Sequence, residues 1–241
     1  MSTKIQNILP RMILDSRGFP TIEVEIILDN GVSAAACVPS GASTGDKEAL
    51  ELRDQQASDW HGKGVDKAIN NINTILKPAL LRQSPLDIKS IDDLMIQLDG
   101  TDNKSKIGAN AILAVSLACA RSAAALKNQS LFHYLYNQIN KQELIHAPQL
   151  IMPAPMMNIL NGGAHADNSI NIQEFMMIPA GFDRFKDALR AGAEIFRSLK
   201  DNLKLESLST SVGDEGGFAP NLKSTSDAIE IIIKSIRSAG Y

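Results

Sequence analysis

The sequence predicts an α+β domain followed by a second, α/β region that opens with two strands and then two helices. Three observations carry this reading. Strand signals are confined to residues 4–38, helical hydrophobic stripes run from about residue 63 to 140, and a proline-rich break precedes a return to short apolar runs and further helices. The break near Pro148 divides the chain into residues 1–147 and 148–241.

Thr21-Ile22-Glu23-Val24-Glu25-Ile26-Ile27-Leu28 alternates polar and apolar residues, and Asp29-Asn30-Gly31 then turns the chain into Val32 to Val38. An Asn-Gly step between such runs signals a hairpin with one solvated face. With the strand signals before it, the hairpin becomes a three-stranded antiparallel meander. Pro39-Ser40-Gly41-Ala42-Ser43-Thr44-Gly45 ends all periodicity and is expected to be a mobile loop. Ala68, Ile69, Ile72, Ile75 and Leu76 form one helical stripe; Ile91, Leu94, Met95 and Leu98 form another. Ala109 to Leu126 is apolar nearly all round and rich in alanine, as in a helix buried on most sides.

Beyond Met152-Pro153-Ala154-Pro155, the runs Met156 to Leu160 and Glu174 to Ile178 read as strands covered on both faces. Phe185, Leu189, Gly192, Phe196, Leu199 and Leu203 form the stripe of one following helix. Ile229, Ile232, Ile233 and Ile236 form that of the next, which is capped by Ser224-Thr225-Ser226-Asp227 and stopped at Gly240. A parallel barrel takes about eight strands, so two leave the second region reading as the ββαα start of an incomplete barrel.

The 241 residues are 44% apolar and 21% charged, an ordinary globular composition. A net charge of −3 and the lack of a Lys/Arg block argue against a nucleic-acid surface. Cys37 and Cys119 lie far apart in apolar segments and read as small buried hydrophobes, fitting neither a zinc site nor a disulfide framework, so a reducing compartment is expected. The N-terminus lacks the basic-then-apolar pattern of a signal peptide, and the longest uncharged apolar stretch, around Ala109 to Ala120, is too short to span a bilayer. A cytoplasmic protein with no membrane span is expected.

Ser211-Val212-Gly213-Asp214-Glu215-Gly216-Gly217-Phe218-Ala219-Pro220 places an acidic pair between glycines. Such a stretch is either a carboxylate offered to a ligand or a tight surface turn, and in isolation the turn is favoured. The other candidates are Ser43 in the small-residue loop, His165 in Asn161-Gly162-Gly163-Ala164-His165-Ala166-Asp167, and Gln173-Glu174 entering a strand. All lie at loops or element ends, where α/β barrels keep their active groups. His61, His133 and His146 have no such setting and read as solvent or packing residues. Ser40 to Lys47 lacks the Gly-Lys-Ser/Thr ending of a phosphate loop, no His-x-x-x-His spacing supports zinc hydrolysis, and no Gly-x-Ser-x-Gly elbow supports a serine hydrolase. What remains is carboxylate and amide chemistry, suited to acid–base work and hard-metal ligation.

Taken together, Asp15-Ser16-Arg17-Gly18, Val38 to Gly45, Glu48 to Asp54, Gly62-Lys63-Gly64-Val65, Leu98-Asp99-Gly100-Thr101, Asn103 to Lys106, Gly108 to Ser116, Pro155 to Asn158, Asn161-Gly162-Gly163, Gln173 to Met176 and the Ser211 to Pro220 stretch resemble enolase, in order along essentially the whole chain. The resemblance implies an N-terminal capping domain over 1–147 and the start of an enolase-type TIM-like barrel over 148–241. It also implies the reversible dehydration of 2-phosphoglycerate to phosphoenolpyruvate with two Mg²⁺ ions. Glu215 then matches the proton donor and Glu174 a second acidic residue able to raise the donor's pKa by like-charge repulsion. Gln173 matches a substrate-binding position, His165 a loop histidine closing over the phosphorylated substrate, and Ser43 a ligand of the second Mg²⁺. A homodimer, meeting through Asp15-Ser16-Arg17, is implied, as is a cytoplasmic location with the secondary cell-surface or secreted pool of related enolases. Phe19 and Trp60-His61 depart from the family pattern. The lysine base and the first magnesium's carboxylates match no residue here, so the chain alone is expected to be inactive. The alternative is a truncated enolase acting only as a dimerisation or partner-binding module.

Overall fold

In a computed structural model describing residues 3–41, 44–139, 151–213 and 215–241, the chain divides into two units, Met1–Ala147 and Pro148–Tyr241. The first is built on strands β1 (Ile5–Leu14), β2 (Pro20–Leu28) and β3 (Ser33–Cys37), antiparallel in the order β1-β2-β3. The Asn30-Gly31 step turns β2 into β3 with Gly31 at φ 87°, and the Leu28 N–H donates to the Val32 carbonyl across it at 2.8 Å. Ile22, Val24, Ile26 and Leu28 are fully buried, while the intervening Glu23 and Glu25 face outward and meet Arg11 at 2.9 and 2.6 Å. The same alternation corrects the reading of Cys37. Ala36 takes the core side of β3, so Cys37 falls on the outer face, exposed, with its Sγ donating to Glu23 Oε2 at 3.4 Å.

Helix α1 (Asp66–Asn71) runs through a π-helical segment, Ile72–Leu76, into α2 (Lys77–Leu80). Pro78 has no N–H to return to the preceding turn, which favours a widened turn just before it. Ala68, Ile72, Leu76 and Leu80 are all fully buried, a repeat of four residues that suits the wider winding. In α3 (Ile88–Asp99) the Asp87 side chain caps the start by accepting from the Ser90 N–H at 3.2 Å, and Gly100 ends it at φ 69°. Helix α4 (Ala109–Leu126) packs on β2 and β3. It has the length and composition to cross a membrane, but most of it is buried in the first unit's core. Burial pushes the Cys119 thiol up to about 12, so it stays protonated and inert. Helix α5 (Leu131–Ile139) follows, with His133 exposed and hydrogen-bonded to Ser130. His146 lies outside the described residues.

In the second unit, β4 (Met157–Asn161) and β5 (Glu174–Met177) pair antiparallel, with a bulge between Asn158 and Leu160. Leu160 also makes a parallel bridge to Phe218, which brings the glycine-rich segment alongside β4. These strands are covered on both faces only in part: Ile159 and Leu160 are buried, but Met176 on β5 is 47% exposed. Helices α6 (Phe185–Leu205) and α7 (Thr225–Ser238) complete the unit, and the Ser224 side chain caps α7 as expected. Among the described residues no closed barrel forms.

The expected stripes hold in part: Gly192, Leu199 and Leu203 of α6 are buried, and Phe196 of α6 and Ile232 and Ile236 of α7 pack against the core. On α6 the buried face is Ala188, Ala191, Gly192, Ile195, Leu199, Asn202 and Leu203, while Phe185 and Leu189 are exposed. Gly192 lies against Met157, where the side chain of Met157 leaves no room for a Cβ. On α7, Ala228, Ile231 and Ser235 are buried instead of Ile229 and Ile233, because Asn202 Nδ2 donates to Ser235 Oγ at 3.0 Å between the helices. A buried polar pair of this kind fixes the facing of two helices without adding to an apolar pattern.

Candidate active site

Three of the residues singled out from the sequence come together at the C-terminal end of β4. Glu174 opens β5, directly opposite Asn161 in the register. His165 ends a short 3₁₀ turn, Gly163–His165, and Glu215 lies in the segment that bridges back to β4. His165 Nδ1 is 3.5 Å from Glu174 Oε1 and 3.5 Å from Glu215 Oε2. The imidazole is only 5% exposed, and both ring nitrogens are buried without a hydrogen-bond partner among the described residues. The two carboxylates are more open, at 26% and 38% side-chain exposure.

Glu174 and Glu215 share a side-chain hydrogen bond, which raises the Glu174 pKa; burial and the Glu215 charge raise it further, and His165 opposes them. Like charges held this close disfavour ionisation of both, which favours the protonated form of Glu174. The raised pKa lies on Glu174, the residue expected to raise that of the donor.

The glycines have a different role from the one their sequence suggested. A Cβ at Gly217 would meet Asn161 Oδ1 at 2.5 Å and the Leu160 backbone N at 2.8 Å; one at Gly213 would meet the His165 carbonyl at 2.5 Å. They permit close approach of the segment to β4 and to the His165 turn. The Gly213 N–H closes the loop onto the Gly217 carbonyl at 2.8 Å, and Gly216, at φ 83°, makes the turn between.

The intervening loop is fastened by residues the sequence reading missed. Asn168 Nδ2 donates to the Asn161 carbonyl at 2.9 Å and to the Pro220 carbonyl at 3.1 Å, and Ser169 Oγ donates to Asn221 Oδ1 at 2.7 Å. Asn161, fully buried, donates from its N–H to the Phe218 carbonyl at 2.8 Å. Asn158 Nδ2 reaches Glu215 Oε2 at 3.4 Å. A signal existed: asparagine is disfavoured in strands, and two of them three residues apart interrupt the apolar run of β4.

Gln173 is exposed; its carbonyl accepts from the Gly162 N–H at 3.0 Å, and its side chain lies over Gly163 rather than with the two glutamates. Ser43 lies outside the described residues, although its neighbours are anchored: Arg17 donates to the Ser40 and Gly41 carbonyls at 3.0 and 3.1 Å. Ligand atoms of His165, Glu174 and Glu215 lie within 4.8 Å of one another. As a seat for Mg²⁺ the trio fits poorly, because that ion demands six oxygens in near-ideal octahedral array, whereas one of the three groups here is an imidazole nitrogen.

Residues 5–135 match the family model for the enolase N-terminal domain, and residues 149–241 match that for the enolase C-terminal TIM barrel domain.

Proposed function

The chain belongs to the enolase family, and from that premise we propose that its second unit supplies the acid side of the reversible dehydration of 2-phosphoglycerate to phosphoenolpyruvate. The single observation that carries the reading is the convergence of Glu174, Glu215 and His165, whose ligand atoms lie within 4.8 Å of one another, with the Glu174 pKa raised first by side-chain hydrogen bonding with Glu215. A general acid is useful only if it is still protonated at the working pH, and a paired carboxylate meets that condition. In the dehydration direction a protonated Glu215 gives its proton to the departing hydroxyl, which leaves as water, and Glu215 becomes a carboxylate beside Glu174 and His165. In the hydration direction Glu215 takes the proton back from water. His165, buried with its Nδ1 3.5 Å from both glutamates and its Nε2 without a hydrogen-bond partner among the described residues, is suited to donate to an anionic substrate that reaches it. Gln173, exposed just before β5, adds a substrate contact in this reading.

The family's dependence on Mg²⁺ is not met by the trio, and no step here passes through the ion. Ser43 is proposed as one ligand. The reading assigns neither the carbon-acid base nor the remaining magnesium ligands to any of these residues. A cytoplasmic homodimer is the proposed setting, a location supported by the free Cys37 and Cys119.

Supplied with magnesium and 2-phosphoglycerate, the 241-residue chain alone is expected to form no phosphoenolpyruvate. Adding a polypeptide that carries the rest of a family barrel is expected to restore turnover, and Glu215→Gln to lower it by about 100-fold or more. Robust turnover by the chain alone, or unaltered turnover by Glu215→Gln in the complemented sample, contradicts the reading.

A further inference from the structure

Beneath Glu215 lies a polar arrangement that the proposed chemistry has not used. Asn158 precedes the β4 bulge and pairs with Met176, and the next register pair is Leu160 with Phe175. The extra residue changes the phase of the strand, so that Asn158 and Asn161, three apart, both turn toward the glycine-rich segment. Their placement is fixed by one point in space, since a Cβ at Gly217 would meet Asn161 Oδ1 at 2.5 Å and Asn158 Oδ1 at 3.0 Å. Both of these amide oxygens are buried and accept no hydrogen bond from the described residues. The Asn158 carboxamide nitrogen, by contrast, is directed to Glu215 Oε2 at 3.4 Å.

A buried amide oxygen without a donor is costly, and asparagine in a strand has no intrinsic advantage to offset it. Turning the Asn158 carboxamide over would place its NH₂ against the crowded oxygens and its Oδ1 against Glu215. That orientation suits a protonated Glu215, which can donate; the orientation seen suits an ionised Glu215 oxygen, which can only accept. The amide has one stable facing for each charge state of the carboxyl it touches.

Resting on the acid role read for Glu215, we propose that Asn158 is a positioning residue for that carboxyl, holding Glu215 toward Glu174 and His165 when ionised and turning its carboxamide over to accept from Glu215 when protonated. Asn158 touches no reacting atom in this scheme. The titratable groups facing Glu215 are His165, from the Gly163–His165 turn, and Glu174, from β5.

The test is nuclear magnetic resonance of the ¹³C,¹⁵N-labelled 241-residue chain over a pH series, which needs no turnover. The Asn158 side-chain NH₂ signals are expected to move with the same midpoint as the carboxyl carbons of the glutamate pair. Asn158→Leu and Asn158→Ala are each expected to raise the pair's midpoint, by about half a pH unit or more, because a donor to the charged form is lost. Backbone spectra matching the unaltered chain identify folded variants, and the smaller Ala variant guards against misfolding of the Leu one. If the glutamates titrate as a pair while the Asn158 amide stays unresponsive, or if folded variants keep the original midpoint, this inference alone is overturned. If the glutamates of the unaltered chain titrate independently, the acid-pair reading falls first and this inference with it.

Discussion

Glu174 is the residue on which the electrostatics of the site converge, because its carboxyl has both a like-charged neighbour and a partly buried setting. Its pKa is raised, first by the hydrogen bond shared with Glu215 and then by burial. A carboxyl with a raised folded-state pKa holds more protons folded than unfolded over the window between the two values. Its stabilising contribution is therefore complete below the ordinary glutamate pKa and is lost as pH rises through the raised one. Thermal unfolding of the chain is expected to show stability falling with pH in that window, and Glu174→Gln is expected to remove that part of the fall. A melting temperature whose pH dependence is identical in the two proteins would count against the pair. The candidacy of Glu174, Glu215 and His165 was legible from their positions beside glycines and at strand ends and from the resemblance; their mutual distances were not, since residues 165, 174 and 215 are far apart in sequence. Asn158 was passed over because a lone strand amide looks like an ordinary polar interruption until its neighbour across the fold is known.

At the level of elements, the sequence pattern was most reliable where a single face decides burial. The β2 alternation, the Asn30-Gly31 turn and the apolar α4 all appear in their expected forms. It was less reliable where packing depends on what is small. Gly192, read as one position in an apolar stripe, instead lies against Met157, whose side chain leaves no room for a Cβ. Cys37 was misplaced for a related reason: cysteine is usually buried, but strand alternation takes precedence over residue preference. The glycine-rich segment repeats the lesson, since its glycines make room for β4 as well as shaping a turn. Gly217→Ala is expected to destabilise the protein by about 1–3 kcal/mol, because the new methyl group meets strand backbone that cannot move aside as a flexible side chain would. Chemical denaturation measures this directly. An unchanged midpoint would mean that the segment does not seat against β4 as described.

For the molecule as a whole, two units with separate cores follow from the change of pattern near Pro148, and each matches its own family domain model. The first unit is an α+β layer whose meander and helices could be read in order from periodicity alone. The second resists that reading because its active groups hang on an irregular loop fastened by Asn168 and Ser169, and side-chain-to-backbone fastenings leave no periodic trace. Family membership points to enolase-like chemistry, and the second unit's own geometry supplies two neighbouring carboxyls beside a buried histidine. The central claim is that Glu174 and Glu215 share one proton, and carboxyl ¹³C titration of these two residues in the intact chain tests it most directly. The expected result is two coupled steps, the second lying above the ordinary glutamate range, with both carbons responding to each. Two independent titrations at ordinary glutamate values would contradict it.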